Sequence, residues 1–96
     1  MSPLKRKKLS KIRYQLDKLD NSLIKLIKKR TNLVKKVLKL KENKNQIVDQ
    51  KRIKKILENV RKKSLKSNID PKITNRIWKN MIWSYIDFER RNFKKK

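Results

Sequence analysis

An unbroken amphipathic pattern near the amino end most constrains what this chain can fold into. Apolar residues occupy positions 9, 12, 16, 19, 23, 26, 33, 37 and 40, in steps of three and four with a single step of seven. Such spacing places them on one face of an α-helix, the apolar seam. The chain has no glycine, and its two prolines, Pro3 and Pro71, lie outside this stretch. We therefore predict one long helix from about Leu9 to Lys41, preceded by frayed basic residues 1–8.

Two shorter helices are predicted after it. The polar, asparagine-rich segment 42–48 is typical of a loop, and Asp49 then suits the N-cap of a second helix. Asp70 followed by Pro71 is a strong start signal for a third helix. The core faces are predicted to comprise Ile53, Ile56, Leu57 and Val60, then Ile73, Ile77, Trp78, Met81, Ile82, Tyr85 and Phe88, with Glu89 beside them.

The predicted fold is therefore all-α, since no segment alternates with the period of a strand. The 96 residues form a single domain, and we expect residues 91–96 to be frayed. A helix from Leu9 to Lys41 is about 50 Å long, too long for two shorter helices to cover in a compact monomer. The apolar seam must meet another copy or a partner, so we expect an intertwined homodimeric bundle.

Composition excludes several classes of chemistry. Glycine, cysteine and histidine are all absent, which rules out glycine-rich phosphate loops, disulfides, the usual zinc sites and His-dependent nucleophilic catalysis. We expect no metal and no cofactor. The longest apolar run is Met81-Ile82-Trp83, far below the roughly 20 residues that span a bilayer, and no secretory signal is present. We expect a cytoplasmic protein without membrane contact.

The charge balance raises one alternative function. Lysine and arginine total 32 against 8 acidic residues, for a formal charge of +24. The clusters Lys5–Lys8 and Lys94–Lys96 would attract phosphates, as in a nucleic-acid-binding helical protein. However, the basic residues are expected to surround the helices instead of forming one stripe, and base-reading features are lacking. We expect weak non-specific binding at low salt and no specific nucleic-acid role.

Three basic residues form a candidate ligand-binding site. Arg30 occupies the seam position between Leu26 and Leu33, where it requires either a carboxylate partner or a bound anion. Lys41 follows eleven residues later, nearly on the same face and about 16 Å along the helix, so both could touch one ligand of sugar-ring size. Arg13 lies about 25 Å before Arg30 and could reach such a ligand only from an antiparallel partner.

The same residues carry a family resemblance. The segment KIRYQLDKLDNSLIKLIKKRTNLVKKVLKLK is similar to the first helix of the all-helical (AroQ-class) chorismate mutases. The similarity continues through VDQKR and IDPKITNRIWKNMI and covers roughly residues 9 to 90. Its specificity rests on the joint spacing of Arg13, Arg30, Lys41, Asp49 and Arg52.

The resemblance implies a Claisen rearrangement of chorismate to prephenate, in phenylalanine and tyrosine biosynthesis, by a homodimer with shared sites. Arg30 and the partner subunit's Arg13 would clamp the two carboxylates of the substrate, with Arg52 in support. Lys41 would donate to the ether oxygen and the hydroxyl region, and Asp49 would line the site at the start of its helix.

Three positions depart from the pattern of the family. Ile53 stands where many members have a glutamate that contacts the substrate hydroxyl, and Tyr85 stands where a small hydroxyl residue is common. Glu89 replaces a glutamine that faces the ether oxygen in many members, and it would help there only as the neutral acid, which can donate a hydrogen bond. The related isochorismate-pyruvate lyases share the fold and a similar basic pocket, so that activity is the alternative.

Overall fold

The computed structural model describes residues 1–94 and consists of three α-helices joined by short connections. Helix α1 is Pro3–Leu40, α2 is Gln50–Lys66 and α3 is Pro71–Asn92, with a short 3-10 turn at Lys44–Gln46 between α1 and α2. No strand occurs in residues 1–94. The all-α prediction and the order of a long, a short and a medium helix are confirmed.

The first helix begins six residues earlier than predicted. The Ser2 hydroxyl accepts a hydrogen bond from the Lys5 N–H at 3.2 Å, and Pro3 takes the first helical position, where its missing N–H costs nothing. Ser2-Pro3 is thus the same kind of start signal as Asp70-Pro71, and it would have located this helix start from sequence.

The carboxyl end is also more ordered than predicted. Helix α3 continues to Asn92, so residues 91 and 92 of the predicted tail are helical. The residue that follows the helix, Phe93, is half-buried and packs against the apolar core. The last two residues of the predicted tail, Lys95 and Lys96, lie outside the described residues.

The predicted starts of α2 and α3 are confirmed by their caps. The Asp49 carboxylate accepts the Arg52 N–H at 3.0 Å, and the Asp70 carboxylate accepts the Lys72 N–H at 2.9 Å. Each bond satisfies one of the amide groups that a helix leaves free at its first turn. Local side-chain chemistry therefore sets where both helices begin.

The turn between α2 and α3 is a Schellman-type C-cap. Asn68 has φ 56°, in the left-handed region that asparagine tolerates better than most residues. The Ile69 N–H then donates to the Ser64 carbonyl at 2.9 Å, and the Asn68 N–H donates to the Leu65 carbonyl at 3.3 Å. This tight reversal brings α3 back against α2.

The core between α2 and α3 differs in part from the predicted faces. Its buried residues are Ile47, Ile82 and Ile86, and the half-buried side chains around them are Val48, Ile53, Ile56, Leu57 and Phe93. Ile73 and Ile77 were predicted to be core but are 55% and 52% exposed. Helix α3 carries apolar residues on two faces, and α2 covers only the face that contains Ile82 and Ile86.

The chain divides into two units, residues 1–33 and residues 34–96. The first unit is the amino-terminal part of α1, whose apolar seam is exposed: Leu16, Leu19, Leu23 and Leu26 all remain more than half accessible. The second unit contains the core just described. Within residues 1–94, no helix is both long enough and apolar enough to cross a membrane.

Candidate functional site

A partly buried ion pair lies at the centre of the candidate site. The Lys41 Nζ donates to the Glu89 Oε1 at 2.9 Å, and the two side chains are 18% and 7% exposed. Glu89 shares its face of α3 with Ile82 and Ile86, which explains its burial. A carboxylate in such surroundings is costly unless it is paired, and Lys41 provides the pairing.

The position of Lys41 is set by the loop that follows it. The Gln46 side-chain oxygen accepts the N–H groups of Glu42 at 2.6 Å and Asn43 at 3.2 Å, and the Asn43 side chain accepts the Asn45 N–H at 3.1 Å. Near the end of this loop, Ile47 is only 4% exposed, within the α2–α3 core. Helix α3 is therefore contacted by residues on both sides of this polar segment, by Lys41 before it and by Ile47 near its end.

Sequence reasoning missed Ile47 because it assigned the segment 42–48 to a polar loop. The signal was present, since Ile47 and Val48 form the only apolar pair in that segment. An apolar pair at the end of a polar loop is well suited to anchor the loop, because burying an isoleucine side chain contributes about 2 kcal/mol.

Asp49 and Arg52 lie together at the start of α2. The Asp49 carboxylate accepts the backbone N–H of Arg52, so its cap role is observed. Both residues are exposed, which leaves the Arg52 guanidinium at the surface. Their contacts with a substrate stay predictions.

Tyr85 and Ile53 occupy the two other positions that depart from the family pattern. Tyr85 is half-buried on α3, one helical turn before Glu89. Ile53 is half-buried on α2 and packs against the Ile47–Ile82–Ile86 core. An apolar side chain at position 53 thus contributes to packing in place of a carboxylate.

The two arginines of α1 that are predicted for the site belong to the first unit. Arg13 is exposed and Arg30 is half-buried. Of the residues predicted for the site, the structure brings Lys41 and Glu89 into direct contact, and the roles of Arg13 and Arg30 stay predictions.

The arrangement around Lys41 suits recognition of an anionic, oxygen-rich ligand. An ammonium has three N–H donors, and Glu89 takes one of them, so two others can serve a ligand. Among residues 1–94, no group of three His, Cys, Asp or Glu side chains is placed to hold a metal ion. The chemistry that the site offers is charge and hydrogen-bond donation.

Because Lys41 and Glu89 form a partly buried ion pair, we expect the effects of replacing them on the free energy of unfolding to be strongly coupled. Lys41→Met leaves the Glu89 carboxylate buried without its partner, and we expect a loss of about 2 kcal/mol in the free energy of unfolding. The double variant Lys41→Met/Glu89→Leu removes both charges and should recover most of that loss. Urea denaturation of the two single variants and the double variant measures the coupling.

The matched control is the exposed pair Arg91–Asp87 on the same helix, with a 2.8 Å contact and side chains 64% and 67% exposed. The corresponding cycle, Arg91→Met and Asp87→Leu, should give a coupling of about 0.5 kcal/mol or less, because water screens exposed charges. Equal couplings for the two pairs would show that the Lys41–Glu89 contact is no stronger than a surface ion pair.

Comparison with known proteins agrees with this chemistry. The family model for chorismate mutase type II matches residues 12–90. A chorismate mutase of Methanocaldococcus jannaschii is 36% identical over 76 residues, which cover 78% of this chain and 77% of that protein. No solved structure is significantly similar to the chain. The family match covers all of α2, most of α1 and α3, and both members of the Lys41–Glu89 pair. The chain belongs to the chorismate mutase type II family.

Proposed function

We propose that this chorismate mutase rearranges chorismate to prephenate at a site centred on Lys41 and Glu89. The observation that carries the proposal is their 2.9 Å contact, because it presents a fixed ammonium within a largely water-excluded environment. The step belongs to phenylalanine and tyrosine biosynthesis. A cytoplasmic location stays a prediction.

The reaction suits a site that offers only charge and hydrogen bonds. One C–O bond of the substrate breaks while a C–C bond forms within the same molecule, so no nucleophile is required. The protein must hold the dicarboxylate in its reactive conformer, which is a positioning effect. It must also donate to the ether oxygen, where negative charge develops in the transition state. Lys41 is assigned to that oxygen.

The carboxylates of the substrate are assigned to the arginines. Arg30 and the partner subunit's Arg13 would clamp them, with Arg52 in support and with Asp49 and Tyr85 lining the site. These assignments rest on the pattern of the family. The charge-assisted bonds between guanidinium and carboxylate are the strong class of hydrogen bond and give geometric specificity.

A homodimer would supply the second arginine. The support for it is the exposed seam of the first unit, where Leu16, Leu19 and Leu23 are each more than half accessible. Leaving such an apolar stripe in water is unfavourable by roughly 25 cal/mol per Å². A second copy of the same helix, packed antiparallel, would cover the seam and bring its Arg13 to the site.

Glu89 has two states with different uses. As a carboxylate it accepts a hydrogen bond from the Lys41 Nζ at 2.9 Å. As a neutral acid it can also donate to the ether oxygen.

The first test is turnover of the substrate. Purified protein should consume chorismate and release prephenate, and Lys41→Met should lose about 10²- to 10³-fold in kcat because it removes the donor to the developing charge. Isochorismate should not be cleaved to pyruvate. Pyruvate release from isochorismate, with chorismate left unchanged, would instead identify the lyase activity.

The second test addresses the shared site. Arg13→Ala and Arg30→Ala proteins should each be inactive, but their heterodimer has one site with both arginines and one with neither. We expect the mixture to regain activity, up to about half of the wild-type turnover per heterodimer. A mixture that stays inactive after subunit exchange is demonstrated would contradict shared sites.

The third test concerns Glu89. Glu89→Gln keeps a carbonyl oxygen to accept from Lys41 and has an amide that can donate to the ether oxygen, so we expect this variant to remain active. Glu89→Leu removes both groups and should lose about 10²-fold in kcat. Equal kcat values for the two variants would show that Glu89 does not act at the ether oxygen.

A further inference from the structure

The outer face of α1 carries a line of lysines that the mutase reaction does not use. Lys7, Lys11, Lys18 and Lys25, together with Tyr14, follow each other at spacings that put them on one side of the helix. We call them the outer lysine stripe. All five residues are exposed and belong to the first unit, and the stripe extends about 27 Å along the helix.

The stripe contains no acidic residue. Of the two carboxylates of α1, Asp20 lies about a third of a turn around the helix from the stripe, while Asp17 borders it, about 60° from Tyr14. The stripe also lies on the side of α1 away from Leu16 and Leu23, so a second copy covering the apolar seam would leave it accessible. Other cations of α1 lie on its other sides, among them Arg6, Lys8 and Arg13.

An aromatic ring interrupts the lysines. Tyr14 is 59% exposed, and the Lys18 Nζ lies over its ring at 4.8 Å from the centroid. The cation–π contact holds one face of the ring beside a positive charge. The other face of the ring is available for a flat partner, so one stacking surface and several cations share a single line.

This combination matches the chemistry of a single-stranded nucleic acid. Phosphates would contact the lysines, and an unpaired base would stack on Tyr14, a contact that is tolerant of base identity. A duplex keeps its bases stacked inside and offers only phosphates. We propose that the outer lysine stripe binds single-stranded nucleic acid without sequence specificity, as a second activity independent of the mutase site.

The experiment measures binding of a short fluorescein-labelled oligouridylate by anisotropy across a salt series. In the stripe variant, Lys7, Lys11, Lys18 and Lys25 are replaced by glutamine. About 0.7 counterions are released for each phosphate of a single strand that a lysine neutralises. Loss of four lysines should therefore make the slope of log K against log salt less negative by about 3. Chorismate turnover and helical circular dichroism should be unchanged.

The matched control removes the same charge from α2. Its variant replaces Lys51, Lys55, Lys62 and Lys66, which also lie on one exposed helix face but around Glu58 and with no aromatic residue. We expect this variant to keep most of the affinity and salt slope. If both fourfold variants weaken binding equally, the +24 charge acts diffusely and the stripe is not a site.

Variants of Tyr14 distinguish the contribution of base stacking to binding from the contribution of charge. Tyr14→Leu should weaken the single strand about tenfold and leave binding of a duplex with the same number of phosphates unchanged, since only unpaired bases can stack. Tyr14→Phe keeps the ring and should bind like the wild type. Tyr14→Leu with unchanged affinity for the single strand would overturn the proposal.

Discussion

The contact between Lys41 and Glu89 is the interaction around which the proposed site is arranged. It joins the end of α1 to the carboxyl-terminal half of α3 with the longest sequence separation of the hydrogen bonds described, 48 residues. A buried ion pair is a poor source of stability, because desolvation offsets most of the attraction. Its presence among isoleucines is the feature on which we base the proposal that Lys41 is a fixed donor to the substrate.

The rest of the second unit supports this contact. Ile47 anchors the loop after Lys41, while Ile82 and Ile86 place Glu89 on the buried face of α3. The turn at Asn68 sets how α3 returns against α2. Together these features restrict the freedom of the Lys41 ammonium, and a donor held in place in this way is what the proposed positioning of the substrate requires.

Acidic residues are few, and at least half of the eight have a structural contact. Of the eight carboxylates, Asp49 and Asp70 cap helices, Glu89 pairs with Lys41, and Asp87 pairs with Arg91. Few remain to neutralise the 32 cations, so most lysines face water. For a dianionic substrate this excess is favourable at long range, and it also makes the surface attractive to polyanions.

The sequence by itself determined the helices, their starting caps and the family, because these depend on periodicity, on side chains within three residues of a helix start, and on joint spacing. Asp49 and Asp70 illustrate this, and Ser2 shows that the same local rule extends further than predicted. Only the tertiary structure decided which face of α3 is covered, so that Ile86 is buried while Ile73 is exposed. It also decided that Ile47, although it lies in a polar loop, is buried in the core. Both outcomes depend on contacts between segments distant in sequence, and a single amphipathic pattern does not specify which of two apolar faces meets a neighbour.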